Sequence, residues 1–225
     1  MIEELLPEAV VVVEAYDHST TDAQVYPEEA ALVARSVDTR RREFAAVRSC
    51  ARRAMTALGL PPQPVLPGEH GAPSWQAGLV GSMTHCEGYC AAALAHTVDM
   101  ASLGIDAEPD GPLPDGVLPL VSLSAERNRL RRLAADAPGI HWDRLLFSAK
   151  ESVYKVWSPL TVKWLDFDEA EIEIFVDPGG PSNGTFRAKL LVPGPRVGDR
   201  RLDRFEGRWT IQHGLVATAV AVPHA

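Results

Sequence analysis

The sequence predicts an α+β protein with two similar halves, each containing helices followed by a group of strands. Two observations predict this class. Apolar residues recur at intervals of three and four over residues 37–58 and 141–158, the period of an amphipathic helix. Short apolar segments bounded by glycine and proline, typical of strands, follow each of these helices. With 225 residues and 46% hydrophobic content, the chain can bury one large core or two smaller ones.

The first half begins with a predicted strand at residues 8–16, which contains four consecutive valines. Pro27 is expected in the first turn of a short helix over residues 27–36, and Gly59 ends the longer helix that follows. Residues 61–78 are rich in proline and glycine and predict a loop. Further strands are expected at residues 79–86, 89–96 and 102–108.

The second half begins after residues 109–116, where three prolines and two glycines predict a domain boundary or a mobile loop. We therefore expect an N-terminal subdomain at residues 1–108 and a C-terminal subdomain at residues 109–225. A basic helix over residues 124–135 precedes the helix over 141–158, which Pro159 is expected to end. The remaining predicted strands are residues 171–176, 185–192, 205–212 and 215–222.

Charge and composition narrow the function classes. A net charge of −8 argues against general nucleic-acid binding, which requires many basic contacts to phosphates. No apolar run approaches the about 18–20 residues of a membrane span, and the acidic start is unlike a secretion signal. The three cysteines are too few for a disulfide framework. We therefore expect a cytoplasmic protein.

Two carboxylates, Asp106 and Glu108, lie two residues apart in the predicted strand over 102–108. Successive strand residues face opposite ways, so both acids point to one side while Ile105 and Ala107 point to the other. Because like charges repel, this pair indicates either an exposed strand end or a site for a hard divalent cation, Mg²⁺ or Mn²⁺.

The predicted helix over 141–158 carries Glu151 and Lys155 one turn apart on its polar side, with Lys150 beside them. An exposed pair at this spacing contributes only about 0.2–0.5 kcal/mol and has no further meaning by itself. On the helix over 37–58, Arg41, Arg48 and Arg52 share one face. These arginines are either a solvated face or a clamp for a phosphorylated small molecule.

Taken together, these segments resemble the 4′-phosphopantetheinyl transferases of the surfactin-type, enterobactin-synthase branch, over roughly residues 35–167. Two motifs carry most of the resemblance: Gly104-Ile105-Asp106-x-Glu108 and Phe147-Ser148-Ala149-Lys150-Glu151-x-x-x-Lys155. Further matching segments are Arg40-Arg41-Arg42-Glu43-Phe44, Arg48-x-Cys50-Ala51-Arg52, Gly71-x-Pro73-x-Trp75, Gly81-Ser82-x-Thr84-His85-Cys86 and His141-Trp142-Asp143.

The resemblance implies a monomer with two α/β subdomains related by a pseudo-two-fold axis and an active site in the cleft between them. It implies an enzyme of the holo-[acyl-carrier-protein] synthase type, which moves the phosphopantetheine arm of coenzyme A to a serine of an acyl or peptidyl carrier protein. The reaction would require Mg²⁺, with Mn²⁺ as an alternative, and would release adenosine 3′,5′-bisphosphate. Such carriers serve fatty-acid, polyketide, non-ribosomal peptide or siderophore synthesis.

The resemblance also implies roles for individual residues. Asp106, Glu108 and Glu151 would hold the metal, and the catalytic set would be Glu151, Lys155 and Asp106. Either Glu151 or an activated water would take the serine proton. The residues expected to bind coenzyme A are Arg40, Arg41, Arg48, His70, Ser82, Thr84, His85, Lys150 and Lys155.

Three expectations remain open at this stage. The motif favours Arg40 as the partner of Arg48 on the 3′-phosphate, whereas the helical face favours Arg41. His70 stands where the family commonly has Lys or Arg, so coenzyme A affinity is expected to fall as pH rises through about 6 to 8. The acidic carrier is expected to contact Arg127, Arg129 and Arg132.

Two other functions compete with this interpretation. One is a catalytically degenerate homologue that only binds carrier proteins, and the other is a different Mg²⁺-dependent phosphoryl hydrolase.

Overall fold

The computed structural model describes residues 1–16, 25–68 and 71–224. After a 3₁₀ turn at Ile2–Leu5, the first half contains both of its predicted helices and its predicted strands. Its elements are β1 (Val11–Tyr16), α1 (Pro27–Val33), α2 (Asp38–Ala57), β2 (Leu66–Pro67), β3 (Pro73–Ser74), β4 (Leu79–Cys86), β5 (Tyr89–His96) and β6 (Met100–Pro109).

The second half begins with helices and ends with strands. Its elements are α3 (Leu118–Val121), α4 (Ser124–Asp136), α5 (Trp142–Thr161), β7 (Ala170–Val176), β8 (Asn183–Leu190), β9 (Arg196–Val197), β10 (Arg200–Arg201), β11 (Arg204–Gln212) and β12 (Leu215–Pro223).

The strands form two main antiparallel sheets within the described residues. One has three strands in the order β1-β5-β4, and the other has five in the order β6-β12-β11-β8-β7. A 20-residue helix packs on each sheet, α2 on the first and α5 on the second. This repeated arrangement confirms the predicted α+β class with two subdomains. None of the helices described is long and apolar enough to cross a membrane.

Strand β6 connects the two sheets. Its backbone pairs with β12, so the strand that was expected to close the first half contributes to the sheet of the second. It also contacts β4 through side chains, because the hydroxyls of Ser82 and Thr84 accept hydrogen bonds from the backbone N–H groups of Ile105 and Ala107, each at 3.1 Å. The division after residue 108 stays a prediction, but β6 belongs by its backbone pairing to the C-terminal sheet.

The predicted alternation along β6 is present. Leu103, Ile105 and Ala107 lie in a core that also contains β12 and the start of the chain. On the other face, Gly104 lies so close to α5 that a Cβ atom there would be 2.0 Å from the carbonyl oxygen of Ser152. Asp106 lies two residues further along the same face. The short approach therefore sets the distance between Asp106 and α5.

Helix α5 continues three residues beyond the predicted end and includes Pro159. A proline removes one backbone N–H, but in the last turn this disrupts only a single hydrogen bond. Val162 caps the helix in the left-handed conformation, with φ of 55°. The prediction that Pro159 ends the helix was therefore wrong by one turn.

Candidate active site

A pocket of about 560 Å³ lies between the two long helices. Its lining includes Arg40 and Arg48 from α2, His85 from β4, and Glu151 and Lys155 from α5. The 71–75 segment also contributes. The pocket therefore combines a wall of basic groups with a wall that carries the acid and the lysine of the second motif.

The basic wall contains Arg40, His85 and Arg48. The Arg40 guanidinium contacts His85 Nε2 and lies 3.7 Å from Glu43. Arg48 is buried, stacks on the ring of Phe44, and donates from Nε to the carbonyl oxygen of Val65 at 3.1 Å. Burial lowers the pKa of Arg48 to about 10, so the group remains charged at neutral pH. A fixed positive charge of this kind suits a phosphate.

Arg41 does not line the pocket. Its guanidinium donates to the carbonyl oxygen of Ala34 at 3.0 Å and lies 3.8 Å from Asp38. Arg40, Phe44 and Arg48, at successive intervals of four, share the face of α2 that borders the pocket. Arg40 therefore borders the pocket and Arg41 does not, and which of them partners Arg48 on the 3′-phosphate stays a prediction.

Asp106 is 4% exposed, and its carboxylate is held by residues from two other elements. Its Oδ1 accepts a hydrogen bond from Lys155 Nζ at 2.7 Å and one from the Thr84 hydroxyl at 3.3 Å. Lys155 also donates to the carbonyl oxygen of Ile105 at 3.0 Å. Asp106 Oδ2 is buried without a hydrogen-bond partner. An unsatisfied buried carboxylate oxygen is costly unless another positive group or donor binds it.

Glu151 and Glu108 are both affected by the charge of Asp106. Burial, followed by the charge of Asp106, raises the pKa of Glu151, while Lys155 opposes the shift. The same two causes raise the pKa of Glu108, opposed by Arg144, whose Nη1 donates to Glu108 Oε2 at 2.9 Å. The predicted acids are therefore close enough to repel one another.

The donor set near the pocket fits a hard cation in chemistry. Carboxylate oxygens are the ligands that Mg²⁺ prefers, and the unpartnered Asp106 Oδ2 is available for one. Among the residues described, however, no group of three His, Cys, Asp or Glu side chains is arranged to hold a metal ion. Instead, Asp106 pairs with Lys155, and Glu108 pairs with Arg144.

Two hydroxyls predicted to bind coenzyme A are used within the protein. Ser82 is 3% exposed and lines the pocket while it accepts the N–H of Ile105. Thr84 is equally buried, contacts Asp106 and Ala107, and is absent from the pocket lining.

Lys150 lies away from the pocket, at 4% exposure. Its ammonium forms an ion pair with the buried Glu126 at 3.0 Å and donates to the carbonyl oxygens of Phe167 at 2.5 Å and Ala170 at 2.9 Å. Its three donors are therefore used in joining α4, α5 and the start of β7. The expected role of Lys150 on the coenzyme's phosphates has no geometric support.

The arginines expected to contact the carrier differ in their surroundings. Arg127 donates to Ser122 and Ser124 within the start of α4. Arg129 pairs with Glu171 at 2.7 Å and is partly buried. Arg132 is exposed and makes one long contact, 3.5 Å from Nε to the carbonyl oxygen of Asn128.

Tyr154 lines the pocket, and no role was predicted for it from the sequence. Its ring packs on Trp164 with centroids 4.9 Å apart, and its hydroxyl is buried without a hydrogen-bond partner. The sequence feature that could have pointed to Tyr154 is its position next to Lys155 in the second motif.

His70, which was expected to bind coenzyme A, lies outside the described residues.

The loop after β6 is held by the first turn of α5. Arg144 donates to the carbonyl oxygens of Gly111 and Pro112 as well as to Glu108, and Asp143 accepts the N–H of Leu113. The predicted boundary or mobile loop is therefore hydrogen-bonded to α5 next to the acidic residues, and both alternatives stay predictions.

Comparison with known proteins identifies the family. Residues 28–95 match the model of the 4′-phosphopantetheinyl transferase N-terminal domain, and residues 102–193 match that of the 4′-phosphopantetheinyl transferase superfamily.

Three characterised relatives are similar over most of the chain. The 4′-phosphopantetheinyl transferase Svp of Streptomyces mobaraensis is 60% identical over 224 residues, covering 99% of this chain and 89% of the relative. Npt of Nocardia iowensis, with the same enzyme name, is 48% identical over 98% of this chain and 99% of the relative. PptT of Mycobacterium tuberculosis, again a 4′-phosphopantetheinyl transferase, is 47% identical over 87% of this chain and 85% of the relative. Because both family models match and these relatives are 47–60% identical over most of the chain, this chain belongs to the 4′-phosphopantetheinyl transferase family.

Proposed function

We propose that this transferase moves the 4′-phosphopantetheine arm of coenzyme A to a serine of an acyl or peptidyl carrier protein with the help of Mg²⁺, or of Mn²⁺ as an alternative. The observation that carries the proposal is the pairing of two chemistries in one pocket. The basic side chains of Arg40, Arg48 and His85 lie on one side, and Glu151 and Lys155 lie on the other. A multiply phosphorylated substrate needs the first set, and a reacting phosphate needs the second.

Arg40, Arg48 and His85 are the proposed ligands of the coenzyme's 3′-phosphate. The contact between Arg40 and His85 places two nitrogen-bearing groups side by side. The stacking of Arg48 on Phe44 and its bond to Val65 orient the guanidinium before any ligand arrives. Ordering these groups in advance reduces the entropy lost on binding.

Asp106, Glu108 and Glu151 are the proposed metal ligands. When bound, Mg²⁺ would neutralise negative charge on the pyrophosphate of coenzyme A. The protein itself holds Lys155 at 2.7 Å from Asp106, on the side of α5 that borders the pocket. We propose that its ammonium stabilises charge on the phosphate as the bond to adenosine 3′,5′-bisphosphate breaks.

In the proposed reaction, the serine oxygen forms a bond to the phosphate of the pantetheine arm, and the pyrophosphate P–O bond breaks. The serine proton must leave during this step. Glu151 suits the role of acceptor because burial and the charge of Asp106 raise its pKa and make it a stronger base than an exposed glutamate. A water next to Glu151 is the alternative acceptor.

Mass spectrometry of a carrier protein tests the proposal. The apo carrier, coenzyme A and MgCl₂ are incubated with the wild type, with Glu151→Gln and with the matched control Glu173→Gln, a half-buried acid on β7 outside the pocket. Wild type and control should add one phosphopantetheine arm, whereas Glu151→Gln should be slower by at least about 100-fold. An unmodified carrier with wild type would favour the degenerate homologue, and free phosphate without carrier modification would favour a hydrolase.

The carrier surface is proposed to include the exposed side of α4. Arg132 is available to an acidic partner, whereas Arg127 and Arg129 already bond within the protein. Arg132→Glu should raise the KM for the carrier and leave the KM for coenzyme A unchanged. Equal carrier kinetics for this variant and wild type would remove α4 from the proposed surface.

Assignment to the surfactin-type branch and a monomeric state are further proposals. Support for both comes from the single chain, in which each half supplies one wall of the pocket. Light scattering coupled to size-exclusion chromatography should give the mass of one chain, and a dimer mass would contradict the monomer.

A further inference from the structure

Thr84 occupies a position between the two sheets that gives its hydroxyl a defined direction. Thr84 Oγ1 accepts the backbone N–H of Ala107 at 3.1 Å and lies 3.3 Å from Asp106 Oδ1. A hydroxyl has one hydrogen to donate. Because the carboxylate has none to offer when ionised, that hydrogen must point to Asp106. Thr84 therefore donates to Asp106 Oδ1 and accepts the backbone N–H of Ala107, the residue after Asp106 in β6.

The contact with Thr84 determines which oxygen of Asp106 remains available. Oδ1 accepts both Lys155 and Thr84, whereas Oδ2 is buried and has no partner. Two donors on one oxygen resist rotation of the carboxylate about its bond to Cβ, because rotation would break both hydrogen bonds. The carboxylate is thus fixed with Oδ1 toward Lys155 and Thr84, and its Oδ2 is left buried without a hydrogen-bond partner.

We infer that Thr84 is a positioning residue for Asp106. This inference rests on the proposed function, in which Asp106 binds the metal. Thr84 and Asp106 are 3% and 4% exposed and neither lines the pocket, so Thr84 is buried together with the carboxylate that it contacts. Its effect on the reaction passes through the Asp106 carboxylate alone.

Ser82 provides the natural comparison within the same strand. Its hydroxyl also accepts an N–H from β6, that of Ile105 at 3.1 Å, but it makes no contact with Asp106. If joining β4 to β6 were the only purpose of these hydroxyls, Thr84 and Ser82 would be equivalent. The additional bond from Thr84 to Asp106 is what separates positioning from a purely structural role.

The test compares Thr84→Val, which keeps the shape and removes the hydroxyl, with Thr84→Ser, which keeps the hydroxyl. Thr210→Val is the matched control, since Thr210 is another 3% exposed threonine, and its hydroxyl bonds with Ser182 and Gln212, neither of which lines the pocket. Mn²⁺ binding is measured without coenzyme A by electron paramagnetic resonance of the free ion, and the KM values and kcat are measured on the carrier. Thermal melts establish that each variant is folded.

We expect Thr84→Val to bind Mn²⁺ about 10-fold more weakly and to lose kcat, with the KM for coenzyme A unchanged, because partners of metal ligands typically influence affinity on this scale. Thr84→Ser should restore both to within about twofold, and Thr210→Val should match the wild type. Wild-type Mn²⁺ affinity in Thr84→Val, no rescue by serine, or a raised KM for coenzyme A alone would each overturn the inference. Wild-type carrier modification, measured in parallel, tests the proposed function separately.

Discussion

Replacing Gly104 with alanine should separate the catalytic helix from the strand that bears Asp106. A Cβ atom at this position would lie 2.0 Å from the carbonyl oxygen of Ser152 and 2.8 Å from the amide nitrogen of Val156. Both are backbone atoms, so no side-chain rotation relieves the clash. Contacts below 3.0 Å are essentially never seen for a Cβ atom. Helix α5 and β6 must therefore move apart by about 1 Å.

This displacement has separate costs in stability and activity. Overpacking of a core typically destabilises by about 1–3 kcal/mol, and a clash with backbone lies at the upper end. Lys155 and Asp106 are on the same two elements and 2.7 Å apart, so a similar shift takes the pair beyond hydrogen-bond distance. A misplacement of about 1 Å in an active site can reduce the rate about 100-fold.

Urea denaturation and carrier-modification rates measure the two effects. Gly139→Ala is the matched control, because Gly139 has open space around its Cβ position and ordinary backbone angles. We expect Gly104→Ala to lose about 2 kcal/mol or more of unfolding free energy and about 100-fold in kcat/KM, and the control to lose neither. A Gly104→Ala protein with wild-type stability and rate would refute the view that this close approach sets the site.

Three further substitutions test individual parts of the site. Burial and the neighbouring carboxylate of Asp106 raise the pKa of Glu151, so its ionised form destabilises the folded state. Glu151→Gln should therefore raise Tm at pH 7.5. The gain should shrink at pH 4, where wild-type Glu151 is protonated. Equal differences in Tm at both pH values would contradict this. Lys150→Ala removes the ion-pair partner of the buried Glu126 and should lower the free energy of unfolding in urea by about 3–5 kcal/mol, with the coenzyme A affinity of the folded protein unchanged. Adding Glu126→Gln should recover part of this loss. Full stability of Lys150→Ala alone would refute a structural role for Lys150. Arg40→Ala should raise the KM for coenzyme A about 10–150-fold, which corresponds to losing about 1.5–3 kcal/mol from a charge-assisted contact. Arg41→Ala should keep a KM near that of wild type. A larger effect at Arg41 than at Arg40 would restore the argument from the helical face.

Local pattern was sufficient to predict most elements and the faces of β6. The alternation that places Asp106 opposite Ile105 and Ala107 depends only on the geometry of a strand. The helical period also identified the buried side of α5. These features are properties of short segments, so a single sequence contains them.

Features that depend on distant segments were not predictable in this way. The pairing of β6 with β12 involves residues more than a hundred positions apart. Lys150 resembles a site residue on the helix surface, and only the packing of α4 and β7 makes it a buried partner of Glu126. The choice between Arg40 and Arg41 depends on the 71–75 segment and His85, which define where the pocket lies.

The position of β6 between both sheets has a consequence for unfolding. One face of this strand lies in the core formed with β12 and the start of the chain, and the other contacts α5 through Gly104 and Asp106. Opening the site by separating α5 from β6 would therefore expose core surface on the second sheet, and breaking the Thr84 contact would loosen the first. We expect enzymatic activity and global secondary structure to be lost at the same urea concentration, because the elements that form the site cannot unfold separately while both sheets remain intact.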